Sequence, residues 1–164
     1  MNHVDRKKEE KSTRQQDKNW ILVAVDNSDY ARLVAEEAAK VAQERKANVV
    51  FLSVVHVPSF VTTEGEMDTE YLSEQEKEYQ DLHNRLIDDY FKGNKATLVE
   101  SKILHGDPAK KIVKFADEID ADLIVMGSKG QGKLASVFLG SVSKDVVNNS
   151  KRSVLVVKKE QRSR

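Results

Sequence analysis

The chain has 164 residues, no cysteine, and 27 lysines plus arginines against 27 aspartates plus glutamates. That length suits one domain with a sizeable core. The missing cysteines exclude disulfides, thiolate catalysis, cysteine-based zinc sites and iron–sulfur clusters, and formal neutrality supplies no field to draw nucleic acid or an anionic membrane.

Met1 to Asn19 carry ten charged side chains and, beyond Met1, the single aliphatic residue Val4. Such a segment buries too little apolar surface to offset its ordering entropy. Residues 1–18 therefore read as a disordered charged tail, 160–164 as a short C-terminal tail, and 19–159 as the folded domain. No apolar stretch near the start has the length of a signal peptide and none approaches a membrane span, which predicts a cytoplasmic protein.

The first element is Ile21-Leu22-Val23-Ala24-Val25, a continuous apolar run of the kind buried on both faces of a parallel sheet. Ser28 can cap a helix, along which Ala31, Val34, Ala38, Val41 and Ala42 form one apolar stripe. A second buried strand spans Asn48 to Val57 and Pro58 closes it. A loop with Gly65 follows. The next helix is predicted from Ser73, with Glu76 completing a capping box, a stripe of Tyr79, Leu82, Leu86 and Tyr90, and Gly93 at its C-terminus. Thr97 to Leu104 carries Glu100 and Lys102 between apolar neighbours, the pattern of a half-exposed edge strand.

Asp107-Pro108 pairs a capping carboxylate with proline at the first helical position, ahead of a stripe of Ala109, Ile112, Val113, Ala116 and Ile119. Leu123 to Met126 is the fourth strand, a helix runs from about Gly140 to Asn149, and Val154 to Val157 is the fifth strand. Five strands alternating with four helices imply an α/β fold: an open, doubly wound parallel five-stranded sheet with helices on both faces. Right-handed crossovers favour the strand order 3-2-1-4-5.

In such a sheet, ligands sit beyond the carboxyl ends of the strands where the strand order reverses, here between strands one and four. Two segments lie there, Asp26-Asn27-Ser28 and Gly127-Ser128-Lys129-Gly130-Gln131-Gly132-Lys133. Glycines permit positive φ and close backbone approach, so the second segment can turn N–H groups inward as an anion nest. The helix starting near Gly140 adds unpaired N–H donors and the positive end of its dipole. Hydroxyls of Ser128, Ser141 and Ser143 can donate to phosphate oxygens, and Lys129 or Lys133 can offset charge. From these residues alone, phosphate binding and a plain structural loop both stay open. A Walker-type loop is absent, since Leu134 follows Lys133, and no dinucleotide fingerprint follows the first strand.

The spacing Gly127, two residues, Gly130, nine residues, Gly140-Ser141 matches Gly-x2-Gly-x9-Gly-Ser/Thr. With Val23-Ala24-Val25-Asp26, Gly106-Asp107-Pro108-Ala109, Ala121 to Gly127 and Ser153 to Val157, it resembles the ATP-binding branch of the universal stress protein family over about Asn19 to Lys158. That resemblance implies an adenine nucleotide alpha hydrolase-like fold that binds ATP with magnesium or manganese. Asp26 would meet the nucleoside, and the Val54 backbone the adenine edge. Gly127 and Gly130 would curl around ribose and phosphates, and Gly140, Ser141 and Val142 would meet the phosphate chain. Ala24, Met126, Ser128, Lys129, Gln131, Gly132, Lys133 and Ser143 complete the candidate set. It also implies a homodimer through the last strand and a stress-response regulator read by a protein partner, not a fast enzyme. Asn27, Ser53, Arg152 and Ser153 depart from the family's usual residues outside the glycine pattern.

Two competitors remain. An adenylyl-type enzyme on this fold would carry Ser-Gly-Gly-x-Asp-Ser after strand one, which Asp26-Asn27-Ser28-Asp29 does not supply. A dimeric interaction module that binds no nucleotide is the other. His56 and His105, at strand ends, read as structural or solvated and not as metal ligands, and His3 and His83 as tail and helix-face residues. Ser141 has no base beside it to make it a nucleophile.

Overall fold

The computed structural model describes residues 19–57, 69–94, 97–130 and 139–159. Strands β1 (Trp20–Ala24), β2 (Asn48–His56), β3 (Val99–Gly106), β4 (Leu123–Gly127) and β5 (Ser153–Val157) alternate with helices α1 (Tyr30–Arg45), α2 (Thr69–Tyr90), α3 (Pro108–Glu118) and α4 (Ser141–Asn149). The strands form one sheet in the order β3-β2-β1-β4-β5. Every neighbouring pair is parallel. The sheet order and helix alternation expected from the hydrophobic pattern are thus observed.

Two cores flank the sheet because side chains alternate across it. Ile21, Val23, Phe51 and Val125 pack with Val34, Ala38, Leu82 and Leu86 of α1 and α2. Leu22, Leu52, Ile124 and Met126 pack on the other face with Ile112 and Ala116 of α3 and Val146 of α4. The alanine-rich stripe of α1 lets that helix lie close against β1 and β4, as small side chains at a contact shorten the interaxial distance. Phe51, fully buried, meets Phe91 edge-on with ring centroids 5.6 Å apart.

Several boundaries move from their expected places. α2 starts at Thr69, so Ser73 and Glu76 lie within the helix and form no cap. The residues before Ser73 contain no helix breaker, and half-buried Leu72 packs on the core, so the extra turn is stabilised by tertiary contact. β3 runs from Val99 to Gly106 because it pairs with β2 to the end, His56 opposite Gly106. Its exposed Glu100 and Lys102 mark it as an edge strand. Ser28 lies one residue before the N-cap position of α1, which Asp29 occupies without a side-chain bond. The Ser28 hydroxyl instead accepts the Tyr30 N–H at 3.3 Å.

α3 begins as read: Asp107 Oδ1 accepts the Lys110 N–H at 2.9 Å, and Pro108 opens the first turn. Asp107→Ala should therefore cost about 1 kcal/mol in urea unfolding. An unchanged unfolding midpoint would show that the cap contributes nothing. At the other end of α3, Arg152 donates from Nε to Asp117 Oδ1 at 3.0 Å and from Nη1 to Asp120 Oδ1 at 2.6 Å. That pair of bonds fastens the entry of β5 to the helix. No helix among the described residues is long and apolar enough to cross a membrane.

Candidate functional site

β1 and β4 are neighbours, yet their connections leave in opposite directions, β1 towards β2 and β4 towards β5. A crevice opens beyond their carboxyl ends for the reason given above. A cavity of about 260 Å³ fills it, and of the candidate residues Ala24, Asp26, Val54, Met126, Gly127, Lys129, Gly130, Gly140, Ser141, Val142 and Ser143 all line it. Ser128 stands behind the wall, 3% exposed. Gln131, Gly132 and Lys133 lie outside the described residues, as do the two expected tails.

Gly127 and Gly130 serve close approach and not the left-handed turn expected of an anion nest. Among the described residues, the glycines at positive φ are Gly93 and Gly106, neither in the loop after β4. A Cβ on Gly127 would come within 2.9 Å of Tyr30 Cβ, and one on Gly130 within 2.5 Å of Asp26 Oδ2. The loop after β4 is thus drawn down until its backbone touches the carboxylate at the end of β1. Asp26 is half-buried and is held from behind, Oδ1 accepting the Ser28 N–H at 3.0 Å.

Gly140 is the N-cap of α4, extended at φ −69° and ψ 167°. Its own N–H is occupied, donating to Ser128 O at 2.7 Å. The same carbonyl accepts the Ser143 hydroxyl at 2.9 Å, and Gly140 O accepts that hydroxyl at 3.1 Å. The Ser128 carbonyl and the Ser143 hydroxyl therefore tie the loop to the helix. What remains at the helix start are the N–H groups of Ser141, Val142 and Ser143, which have no side-chain cap, together with the Ser141 hydroxyl. They give the crevice a positive, donor-rich end.

Another part of the lining is acidic and aromatic. Tyr79 of α2 and Tyr30 of α1 line the cavity near Asp26. Burial, and then the Asp26 charge, push the Tyr79 hydroxyl above its ordinary pKa, so it stays protonated and able to donate. The lining also includes the apolar side chains of Leu52, Val54, Ile112 and Met126. The arrangement can hold a molecule with an apolar ring, hydrogen-bonding groups and an anionic extension.

Residues 19–158 match the family model described as the universal stress protein family. The chain belongs to that family. It is 36% identical over 143 residues to a universal stress protein of Methanocaldococcus jannaschii, across 85% of this chain and 81% of the relative. Among solved structures, a universal stress protein in complex with cAMP aligns with a TM-score of 0.65 at 26% identity, over 85% of this chain and 96% of that one. The Archaeoglobus fulgidus universal stress protein in complex with dAMP aligns with a TM-score of 0.60 at 26% identity, over 84% and 96%.

The sequence of this universal stress protein missed several wall residues. Tyr30, Pro108 and Ile112 were findable, because helices that follow parallel strands begin at the same edge where the strands end. Tyr79 carries no such signal, as it reaches the crevice from the middle of α2. His56 lines the cavity from the end of β2. His105 Nε2 sits 2.8 Å from Glu76 Oε1, off the line of a hydrogen bond. His83 lies on the buried face of α2, 0% exposed. Its Nε2 lies 2.8 Å from Ser53 Oγ and its Nδ1 2.6 Å from Ser101 Oγ.

Proposed function

We propose that this universal stress protein binds an adenine nucleotide, ATP above all, and serves as a regulator whose conformation or assembly follows occupancy. The observation that carries the reading is that the Gly130–Asp26 contact and the free N–H groups of Ser141, Val142 and Ser143 line one cavity. The relatives solved with cAMP and dAMP support the adenylate class.

In this reading the base lies between Val54 and Met126, and Asp26 meets the nucleoside. The loop at Gly127 and Gly130 curves over the sugar, and the phosphates reach the start of α4 with Lys129 at the rim. Among the described residues no group of three or more His, Cys, Asp or Glu could hold a metal. A magnesium or manganese ion would accompany the triphosphate on its own oxygens, neutralising charge. The sequence has no Walker-type lysine, since Leu134 follows Lys133, so hydrolysis in this reading is at most slow. β5, an edge strand with half-buried Val154, Leu155, Val156 and Val157, is the surface proposed for homodimerisation. A cytoplasmic setting, where ATP is abundant, goes with the reading, and a protein partner would sense the change.

Two measurements test it: release of small molecules from the denatured purified protein, and calorimetry with Mg-ATP. Near-stoichiometric ATP or AMP, or a saturable binding heat, is the expected result. With neither, and no thermal shift in millimolar Mg-ATP, a nucleotide-independent dimeric module replaces this reading. Fast saturable turnover would replace it with an enzyme.

A further inference from the structure

Backbone direction in β2 alternates in the bonds it makes. Asn48 N–H donates to Asn19 O, and Leu52 O accepts the Val25 N–H, so even-numbered residues face β1. Val49 N–H donates to Leu98 O and Val57 N–H to Gly106 O, so odd-numbered residues face β3. Val54 therefore turns its N–H and C=O towards β1. A ladder continued by one more step would place the Val54 N–H on the carbonyl of Val25.

That step is not taken. The Val25 carbonyl accepts the Ser53 hydroxyl at 2.7 Å and no bond from the Val54 N–H, and Val54 is left lining the cavity. Having donated its single hydrogen, Ser53 Oγ can only accept from His83 Nε2, 2.8 Å away. His83 Nδ1, then without a hydrogen, accepts the Ser101 hydroxyl at 2.6 Å. Each polar atom in this buried chain has one consistent role, which fixes the tautomer by elimination. Burial holds the ring neutral, with a pKa of about 4.

We infer that His83 is a positioning residue for the base end of the cavity: through Ser53 it keeps the Val25 carbonyl away from the Val54 amide, leaving that amide and its carbonyl free for the edge of a nucleobase. The inference rests on the adenylate reading and adds to it a device outside the cavity wall. A merely structural role for the chain predicts that stability and affinity change together. The positioning role predicts that they separate.

The test uses the full chain with Ser53→Ala and with the double variant Ser53→Ala/His83→Phe. Val54 amide exchange is followed without ligand, and binding of Mg-ATP and of inorganic tripolyphosphate is followed by calorimetry. In Ser53→Ala the freed Val25 carbonyl takes the Val54 N–H. Its exchange should slow about tenfold and ATP affinity should fall about tenfold, while tripolyphosphate binding stays within about twofold. The double variant leaves no buried imidazole N–H unpaired, so its melting temperature should recover while ATP affinity stays low. Unchanged Val54 exchange in Ser53→Ala, or ATP affinity restored together with stability in the double variant, overturns the inference. A wild-type protein that binds neither ATP nor tripolyphosphate sinks the adenylate reading instead, and the Val54 exchange still decides whether the chain holds that amide open.

Discussion

Gly130→Val should weaken adenylate binding by at least about a hundredfold while the domain stays folded. A Cβ at this position would lie 2.5 Å from Asp26 Oδ2, with the carboxylate carbon at 3.7 Å. Such an approach is far inside van der Waals contact, so either the loop lifts or the carboxylate swings away from the Ser28 N–H that holds it. Both responses misplace the floor of the cavity against its roof. Stability should change little, because residue 130 is exposed and no core side chain is displaced. Calorimetry with Mg-ATP beside a urea melt separates the two effects. Retained affinity in a folded Gly130→Val protein would mean that the ligand does not pass between this loop and Asp26.

Acidification should destabilise the protein through His83. The ordinary imidazole pKa of 6.5 describes the unfolded chain, whereas burial lowers the folded value to about 4. Above pH 6.5 the ring is neutral in both states and its contribution is complete. As pH falls from 6.5 towards 4, the unfolded chain takes up a proton that the native one refuses, and up to about 3 kcal/mol of stability is lost. His83→Phe should remove that component of the pH dependence. Urea unfolding of both proteins across this window gives the comparison, and parallel slopes would show that His83 titrates alike in both states.

Much of the architecture was legible because it rests on local chemistry. Apolar runs too short for helices, caps such as Asp107-Pro108 and the strand-order rule lead to the sheet and its crevice. The spacing of Gly127, Gly130 and Gly140 was legible as a loop returning to a helix start. Its physical reason was not, since sequence cannot distinguish a glycine needed for positive φ from one needed to make room for Asp26. The backbone bonds of the Ser143 hydroxyl were illegible for a related cause: whether a serine bonds the backbone depends on which side of a turn it falls. His83 was illegible because its partners, Ser53 and Ser101, come from two strands, and only the folded register brings them together. The start of α2 moved for want of a stop signal, with burial of Leu72 outweighing the capping box.

The cavity draws its walls from both cores: Val25, Tyr30 and Tyr79 belong to the layer of α1 and α2, and Ala24, Val54 and Ile112 to the layer of α3. A molecule seated there acts as a rivet through the sheet's rim. Either layer peeling away would forfeit part of its contacts, so occupancy raises the cost of opening on both sides at once. Surfaces that share no residue with the cavity would then register whether it is filled, as a change in how readily they loosen.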